Sequence, residues 1–432
     1  MMRYLNLKKT PFESGLYEKL LQEEGNRVLL KQIEKDLPRT FPYHPFFVSK
    51  EGREALGRIL KAFSLKHPEI GYTQAMNFIA GFLLLLMEEE LAFKVTTIIV
   101  EYIVPGYYMN TMTGLQADQL VLCHLVKETL PELSEHLPKI GVDLKVVTTK
   151  WFLCLYIHTL PFASVIRVWD ILFCRGPATL ILVGVAMLKM KQEQILSIQT
   201  CIKNSMEFFD QFTQGFYNWE ELIATMYSIS SFSRVEQLQQ YARERVGLRV
   251  KRRQIKDLEG MTQFTEEELE ELEGKFTSIA KNGSVTKADF HKLFDKKYQL
   301  FMKDPQITDY LFNEFDQNGD GTLDFRDYVM SLSTLDKGSP KTKLRLLQRI
   351  FDQEKKGYFT PEDLTKIFKW QFTAMGFKEV DEMVSVSVET AFAMYDYDKD
   401  GRLNFEEFFL ACHKQPGIVE MLDLMDMNQL TL

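Results

Sequence analysis

Carboxylate and amide side chains alternate along one segment near the end of the chain, DYDKDGRLNFEE at residues 396–407. A calcium ion takes about six to eight oxygen ligands, and a loop of about twelve residues supplies them when alternate positions point inward and a glycine permits the sharp turn. Gly401 stands at the sixth position of this segment, where that turn belongs. The expected ligands are side chains and, at Arg402, the backbone carbonyl, with Asn404 acting directly or through water: Asp396, Asp398, Asp400, Arg402, Asn404 and Glu407. The segment therefore predicts a calcium site.

A second segment, DQNGDGTLDFRD at residues 316–327, repeats the same spacing. Its expected ligands, with Thr322 acting through its backbone carbonyl, are Asp316, Asn318, Asp320, Thr322, Asp324 and Asp327. The last position holds aspartate, which is one methylene shorter than glutamate and reaches the ion less easily with both oxygens. A smaller, six-coordinate Mg²⁺ is then relatively favoured. We expect this loop to bind a cation with a weaker preference for calcium than the 396–407 loop.

Two further segments keep the glycine at the sixth position but lose ligands: SIAKNGSVTKAD at 278–289 and DQEKKGYFTPED at 352–363. The first has Ser278, Ala280 and Asn282 where oxygen anions are wanted, and the second has Lys356 at its fifth position. Both are expected to be empty and structural. The four segments resemble EF-hands, which pair through their eighth positions. The expected partners are Val285 with Leu323, and Phe359 with Leu403.

A single arginine, Arg39, stands in the segment QIEKDLPRTFPYHPFF at residues 32–47. The residues before it have helical periodicity, and prolines at positions 38, 42 and 45 prevent a helix from continuing far past Leu37. Arg39 is therefore expected just beyond a helix end, on a stiff loop. A positioned arginine becomes catalytic only with a partner site, and the ordinary interpretation is an ion pair with Asp36.

A glutamine follows a turn in the segment HPEIGYTQAMNFIAGFLL, residues 67–84. Gly71 predicts the turn, Tyr72 and Thr73 are candidates for a helix cap, and Gln74 is expected in the first helical turn. The N–H groups and the dipole at a helix N-terminus favour a phosphate group. An amide side chain at this place therefore lies where a phosphate would bind.

The elements that must position these side chains are helices. Apolar residues recur at spacings of three and four in EALGRILKAFSLKHP and ADQLVLCHLVKETL, and LILVGVAML is apolar on every side. The polar, basic stretch at 234–258 predicts a connecting helix with a solvated face; a membrane-surface or calmodulin-target role is the alternative. We expect an all-α chain in four parts: a helical domain at 1–235, a basic helical linker at 236–262, four EF-hand-like repeats at 263–412 and an amphipathic tail at 413–432.

Composition narrows the function classes. The chain has 432 residues, 45% hydrophobic and 26% charged, which is typical of a soluble protein with several domains. Residues 261–432 carry 32 acidic and 21 basic side chains, whereas the first 260 carry 28 and 31. No basic face with interleaved aromatic residues suggests nucleic-acid binding. The longest apolar run, FIAGFLLLLM, is too short to span a bilayer, and no G-x-x-x-x-G-K-[ST] phosphate loop occurs.

Two segments together, IEKDLPRTFP and IGYTQAMN, resemble the paired IxxDxxR and YxQ motifs of TBC domains, which activate Rab-type GTPases. The resemblance continues through TTKWFLCLYIHTLPFASVIRVWDILFCRG and covers about residues 25–230. It implies that Arg39 is an arginine finger and Gln74 a second finger that positions water, with Asp36 orienting Arg39 and Tyr72 shaping the turn. The helix with an Arg and a Trp that usually opens such domains is not evident, so the domain is expected to be short at its N-terminus.

The resemblance implies a GTPase-activating protein that supplies both fingers in trans to a GTP-bound Rab-type GTPase and has no nucleotide site of its own. Calcium bound by the EF-hands is expected to regulate it. The alternative is a calcium-regulated scaffold that binds a small GTPase without accelerating hydrolysis. The expected location is the cytoplasm, with at most peripheral contact with endomembranes.

Overall fold

The structure is a computed structural model and describes residues 15–199, 205–213, 215–280, 283–294, 298, 302, 304–352, 355–374 and 376–414. Residue contacts divide the chain into a front unit, residues 1–252, and a back unit, residues 253–432. Most of the predicted tail at 413–432 lies outside the described residues, as does Asn282. In the described part of the chain, no helix is both long enough and apolar enough to cross a membrane.

The front unit is built from helices, as the sequence predicts. In chain order they are α1 (Leu16–Gln22), α2 (Arg27–Asp36), α3 (Pro45–Val48), α4 (Lys50–Lys66), α5 (Met76–Leu84), α6 (Glu89–Ile98), α7 (Thr113–Thr129), α8 (Pro131–Lys139), α9 (Leu144–Leu153), α10 (Phe162–Arg175), α11 (Ala178–Met190), α12 (Gln192–Leu196), α13 (Ser205–Thr213), α14 (Trp219–Ile229) and α15 (Phe232–Glu259). A 3₁₀ turn, Leu37–Arg39, follows α2, and a π-helical turn, Ile99–Ile103, continues α6.

Helix α11 lies at the centre of the front unit. Its residues Ala178–Leu188 are all buried, which is the outcome that an all-round apolar segment predicts. Gly184 allows this close packing, because a Cβ atom there would lie 2.7 Å from a methyl group of Leu122 and 2.9 Å from the hydroxyl of Tyr156. The packing of this core therefore depends on the shapes of its side chains as well as on the apolar area that they bury.

Helix α15 contributes more to the front core than a solvated connecting helix would. Val235, Ala242 and Val246 are buried in that core. Gln239 is also buried, and its amide donates a hydrogen bond of 2.8 Å to Asp118 on α7. The spacing of these residues by three and four places them on one face of α15, which packs against the unit.

The back unit consists of helix pairs around short loops. Its helices are α16 (Glu266–Ile279), α17 (Pro305–Phe315), α18 (Phe325–Lys337), α19 (Pro340–Phe351), α20 (Pro361–Ala374), α21 (Asp381–Tyr395) and α22 (Phe405–Lys414). Its strands are β1 (Ser284–Thr286), β2 (Thr322–Asp324), β3 (Tyr358–Phe359) and β4 (Leu403–Asn404), with a 3₁₀ turn at Phe290–Leu293.

The short strands pair as the eighth-position rule predicts. Strand β1 runs antiparallel to β2 with Val285 opposite Leu323, and β3 runs antiparallel to β4 with Phe359 opposite Leu403. All four of these side chains are buried. Each pair of loops therefore shares one small apolar contact that sets the positions of both loops.

Candidate functional site

Arg39 stands at the end of the 3₁₀ turn that follows α2. The helix ends at Asp36, one residue before the predicted end at Leu37. The Arg39 guanidinium forms an ion pair with the Asp36 carboxylate; the arginine side chain is 52% exposed and the aspartate side chain only 6% exposed. A buried carboxylate thus holds an arginine that still faces solvent.

Tyr72 brings the second segment to the same carboxylate. Its hydroxyl donates a 2.5 Å hydrogen bond to Oδ2 of Asp36, whereas Arg39 contacts Oδ1. Burial, together with the bond to Asp36, raises the pKa of the Tyr72 phenol, so the phenol keeps its proton and remains a donor. Asp36 therefore ties the arginine to the segment that carries Gln74, two residues after Tyr72.

A second buried link joins the two segments, and the sequence analysis missed it. The Thr40 hydroxyl donates to the backbone carbonyl of Asp36 at 2.8 Å, and the amide nitrogen of Asn77 donates to the Thr40 hydroxyl at 2.7 Å. Both side chains are fully buried. The sequence signals that Asn77, a polar residue within the otherwise apolar helix α5, needs a partner, but it does not identify Thr40 as that partner.

Gln74 is exposed, but it does not lie in the first turn of a helix, so that prediction is wrong. Helix α5 begins at Met76, and the preceding Ala75 adopts a left-handed conformation with φ 89° and no side-chain cap. Thr73 does not cap the helix either; its hydroxyl donates to the backbone carbonyl of Tyr108 at 2.9 Å. The left-handed Ala75 delays the start of the helix and leaves Gln74 in a turn.

The bend before Tyr72 is fixed by the end of α4. The His67 carbonyl accepts the N–H groups of Ile70 and Gly71, and the His67 ring contacts Glu101 at 2.7 Å and Glu69 at 3.1 Å. Burial opposes charging of this imidazole, but the hydrogen bonds to the two carboxylates raise the pKa of His67 overall. A histidine with two carboxylate partners therefore anchors the turn that leads to Gln74.

The 396–407 loop brings three of its predicted ligands close together. Carboxylate oxygens of Asp396, Asp398 and Asp400 lie within 4.8 Å of one another. Glu407 is buried and accepts the backbone N–H groups of Tyr397 and Asn404, each at 3.1 Å. Three like charges this close repel one another unless a cation lies between them, so the donor set fits a hard divalent ion.

The 316–327 loop is also closed by backbone N–H groups that donate to its carboxylates. Asp316 accepts the N–H of Gly321 at 2.8 Å, and Asp320 accepts the N–H of Thr322 at 2.8 Å. One carboxylate oxygen of Asp327, Oδ2, is buried and has no hydrogen-bond partner among the residues that the structure describes. Burial and then the nearby Asp324 raise the pKa of Asp327 to about 7. An unpartnered buried carboxylate oxygen at the twelfth position is the feature that a bound cation would satisfy.

The two loops with missing ligands keep their shape by other means. In the 352–363 loop, Asp352 accepts the backbone N–H of Gly357 at 2.7 Å, and the Lys356 ammonium lies 2.9 Å from Asp363. In the 278–289 loop, the Ser278 hydroxyl donates to the Lys275 carbonyl at 2.6 Å, within the preceding helix. Strands β1 and β3 in these loops support β2 and β4.

Family descriptions match segments in both parts of the chain. The family described as the Rab-GTPase-TBC domain matches residues 3–196. Two descriptions of an EF-hand domain pair match residues 281–335 and residues 341–412.

Individual relatives are similar to part of the chain. TBC1 domain family member 10A of Mus musculus is 39% identical over 177 residues, which cover 40% of this chain and 35% of that protein. Growth hormone-regulated TBC protein 1 of Homo sapiens is 36% identical over 210 residues, which cover 48% of this chain and 62% of that protein. The crystal structure of a Chlamydomonas flagellar RabGAP TBC domain is 33% identical, with a TM-score of 0.47, covering 52% of this chain and 77% of that one. The matches span only 17% to 62% of the length of the first four curated relatives.

Proposed function

Since the chain carries a RabGAP-TBC domain followed by two EF-hand pairs, we propose that it accelerates GTP hydrolysis by a GTP-bound Rab-type GTPase. The nucleotide site belongs to the GTPase, and this chain supplies groups in trans. A cytoplasmic location with peripheral contact at endomembranes follows from that partner. The observation that carries the proposal is the buried Asp36 carboxylate, which holds the exposed Arg39 and also binds the segment of the exposed Gln74.

The different roles of Arg39 and Gln74 follow from the chemistry of their side chains. Negative charge builds on the oxygens between the β- and γ-phosphates as GTP is cleaved, and an arginine supplied in trans is worth about 10³- to 10⁵-fold in rate. Arg39 supplies that cation. Gln74, with one amide donor group and one acceptor, orients the attacking water. Asp36 and Tyr72 act as positioning residues, because neither needs to touch the nucleotide.

Exposed apolar side chains beside Arg39 support docking of a protein there. Tyr43 is 95% exposed and Val48 is 57% exposed, in the segment that directly follows the arginine. Large exposed aromatic residues are typical of the centres of protein interfaces. The GTPase surface would cover both of them as Arg39 reaches the phosphates.

We propose that calcium bound by the back unit regulates the GTPase-activating activity. Asp396, Asp398, Asp400, Glu407 and the Arg402 carbonyl would hold Ca²⁺ in the 396–407 loop. Asp316, Asn318, Asp320, Asp327 and the Thr322 carbonyl would hold Ca²⁺ or Mg²⁺ in the 316–327 loop. A bound ion would neutralise the clustered carboxylates and fix the helices that flank each loop.

A single-turnover GTPase assay against a panel of Rab GTPases, in calcium and in a calcium chelator, tests the proposal. Arg39→Ala and Gln74→Ala should each lower the stimulated rate by at least about 10²-fold with the fold intact. Arg167→Ala is the matched control, because Arg167 is also 52% exposed and also pairs with an aspartate three residues away. Gln237→Ala, at another exposed glutamine, is the control for Gln74. Binding of a GTPase with no acceleration by the unmodified chain would support the scaffold alternative instead.

A further inference from the structure

The front unit contains a cleft that the proposed GTPase-activating site does not use. It has a volume of about 690 Å³ and lies between α7 and α15. Leu120 and Val121 of α7 form one wall, and the face of α15 from Leu238 to Arg252 forms the other. Cavities of about 300–1,000 Å³ are the usual size of ligand sites.

Two contacts hold the walls of this cleft together. The Arg234 guanidinium pairs with Glu128 at 2.7 Å. Five residues further along α15, Gln239 donates to the buried carboxylate of Asp118, which also accepts a hydrogen bond of 2.5 Å from the hydroxyl of Tyr107. These two contacts therefore fix the positions of α7 and α15 relative to each other.

The polarity of the cleft changes along its length. Leu120, Leu238 and Ala242 form a mainly apolar end together with the ring of Tyr241, with His124 beside them, and Val246 and Leu248 stand among the arginines. Arg245, Arg249 and Arg252 also line the cleft, at spacings of four and three that place them on one face of α15. With a rise of about 1.5 Å per residue, the lining face from Leu238 to Arg252 is about 21 Å long.

The positive charges of the three arginines are not offset by ion pairs among the described residues. All three are exposed, and none forms an ion pair with any residue in the part of the chain that the structure describes. Arg234 on the same helix is paired with Glu128. Like charges at these helical spacings repel one another, and guanidinium groups match the geometry of phosphate oxygens, so an anion at this end would relieve the repulsion.

The geometry points to a binding site for one molecule of a phosphate-headed lipid, with its phosphate on Arg245, Arg249 and Arg252 and its acyl chain toward Leu238 and Leu120. An acidic amphipathic helix would be the competing occupant, and the peptide probe described below tests it.

Calorimetry with the full-length chain tests this site. The probes are dioctanoyl phosphatidic acid below its micellar concentration, dioctanoyl phosphatidylcholine and inorganic phosphate. Phosphatidic acid should bind saturably at one site and at least about tenfold more tightly than either of the others, because only it has both the anionic head and the chains. The measurement needs no GTPase, so its outcome is independent of the activity proposed above.

Charge-matched variants separate this site from general attraction to anions. The double variant Arg249→Gln/Arg252→Gln should weaken phosphatidic acid binding at least about tenfold. The control, Arg253→Gln/Lys256→Gln, removes the same charge from exposed positions of α15 that do not line the cleft. It should change the affinity for phosphatidic acid less than about twofold. Tyr241→Ser, at the apolar end, should weaken binding of the lipid and leave the response to inorganic phosphate unchanged.

Three outcomes would overturn the assignment. One is equal binding of inorganic phosphate and phosphatidic acid, which would remove the role of the apolar end. Another is an equal loss of binding in the two double variants, which would show that binding depends only on the net charge of α15. The third is binding of a synthetic helical peptide of glutamate and leucine by a chain that does not bind the lipid. Circular dichroism of each variant checks that the fold is retained.

Discussion

The ammonium group of Lys356 lies 2.9 Å from Oδ2 of Asp363, the residue at the last position of the same loop. The backbone N–H and the hydroxyl of Thr360 also donate to this carboxylate oxygen, each at 3.0 Å. A covalently attached cation thus contacts the carboxylate that would clamp a metal ion in a working EF-hand. Strand β3 of the 352–363 loop pairs in register with β4.

Replacing this lysine should create a metal site. In Lys356→Asp, the first, third, fifth and twelfth positions of the loop would all carry carboxylates, so we expect one more calcium ion per chain than in the unmodified protein. Native mass spectrometry across a calcium titration measures the stoichiometry. Lys355→Asp makes the same charge change one residue earlier and should add no ion. An unchanged count in Lys356→Asp would mean that the lysine is not what keeps the loop empty.

The length of the twelfth side chain should set the ion preference of the 316–327 loop. Asp327→Glu adds one methylene and brings both carboxylate oxygens within reach, so we expect calcium affinity to rise about tenfold relative to magnesium. The reciprocal change, Glu407→Asp in the 396–407 loop, should lower calcium affinity by a similar factor. Calorimetric titration with each ion measures both. Parallel changes for calcium and magnesium would contradict a role for side-chain reach.

Removing the Tyr72 hydroxyl should reduce GTPase activation through Arg39. Tyr72→Phe leaves one oxygen of the buried Asp36 without its donor, at a cost of about 1–3 kcal/mol, and we expect the stimulated rate to fall about tenfold. If the loss acts through the arginine, the double variant with Arg39→Ala will be no slower than Arg39→Ala alone. Tyr217→Phe, at a tyrosine that is 74% exposed, is the control. Additive losses would show that Tyr72 acts by another route.

Asp118 should make the α7–α15 contact depend on pH. Burial raises the pKa of this carboxyl group to about 6, despite the hydrogen bonds from Tyr107 and Gln239. The folded chain therefore holds a proton that the unfolded chain releases near pH 4. The free energy of unfolding should then fall as pH rises from about 4 to 6, by about 3 kcal/mol in total, and stay level above that.

Hydrogen exchange of the α7 and α15 amides at pH 4.5 and pH 7 measures this effect. The opening free energy of the unmodified chain should fall between the two pH values relative to that of Asp118→Asn, which cannot titrate. Asp170→Asn changes an exposed aspartate of α10 and serves as the control. Parallel pH profiles for the unmodified chain and Asp118→Asn would exclude Asp118 as the source.

Local patterns in the sequence were sufficient for the EF-hand pairs. Glycine at the sixth position and an apolar residue at the eighth fix the turn and the strand contact within twelve residues, and the pairing of Val285 with Leu323 confirms that prediction. The end of α2 was also predictable, because Pro38 limits the helix locally. The all-helical front unit follows in the same way from apolar periodicity.

Features that depend on distant contacts were not predictable. Gln74 lies in a turn because Ala75 is left-handed, a conformation that an alanine sequence position does not suggest. The hydrogen bond between Asn77 and Thr40 spans 37 positions, and that between Gln239 and Asp118 spans 121. The cleft beside α15 depends on that second contact, whereas the sequence alone predicted a connecting helix with a solvated face. The expected domain bounds, and the roles of Arg39 and Gln74, stay predictions for the experiments above.

The left-handed Ala75 has a consequence for how Gln74 meets another molecule. Alanine in this conformation costs about 1–2 kcal/mol, and the helix that starts at Met76 and the pinned Thr73 leave the backbone no easy way to relax it. The peptide on either side of the glutamine is therefore confined to a narrow set of orientations before any encounter. The point from which the Gln74 side chain extends is thereby fixed, and only its side-chain torsions remain to be ordered on contact.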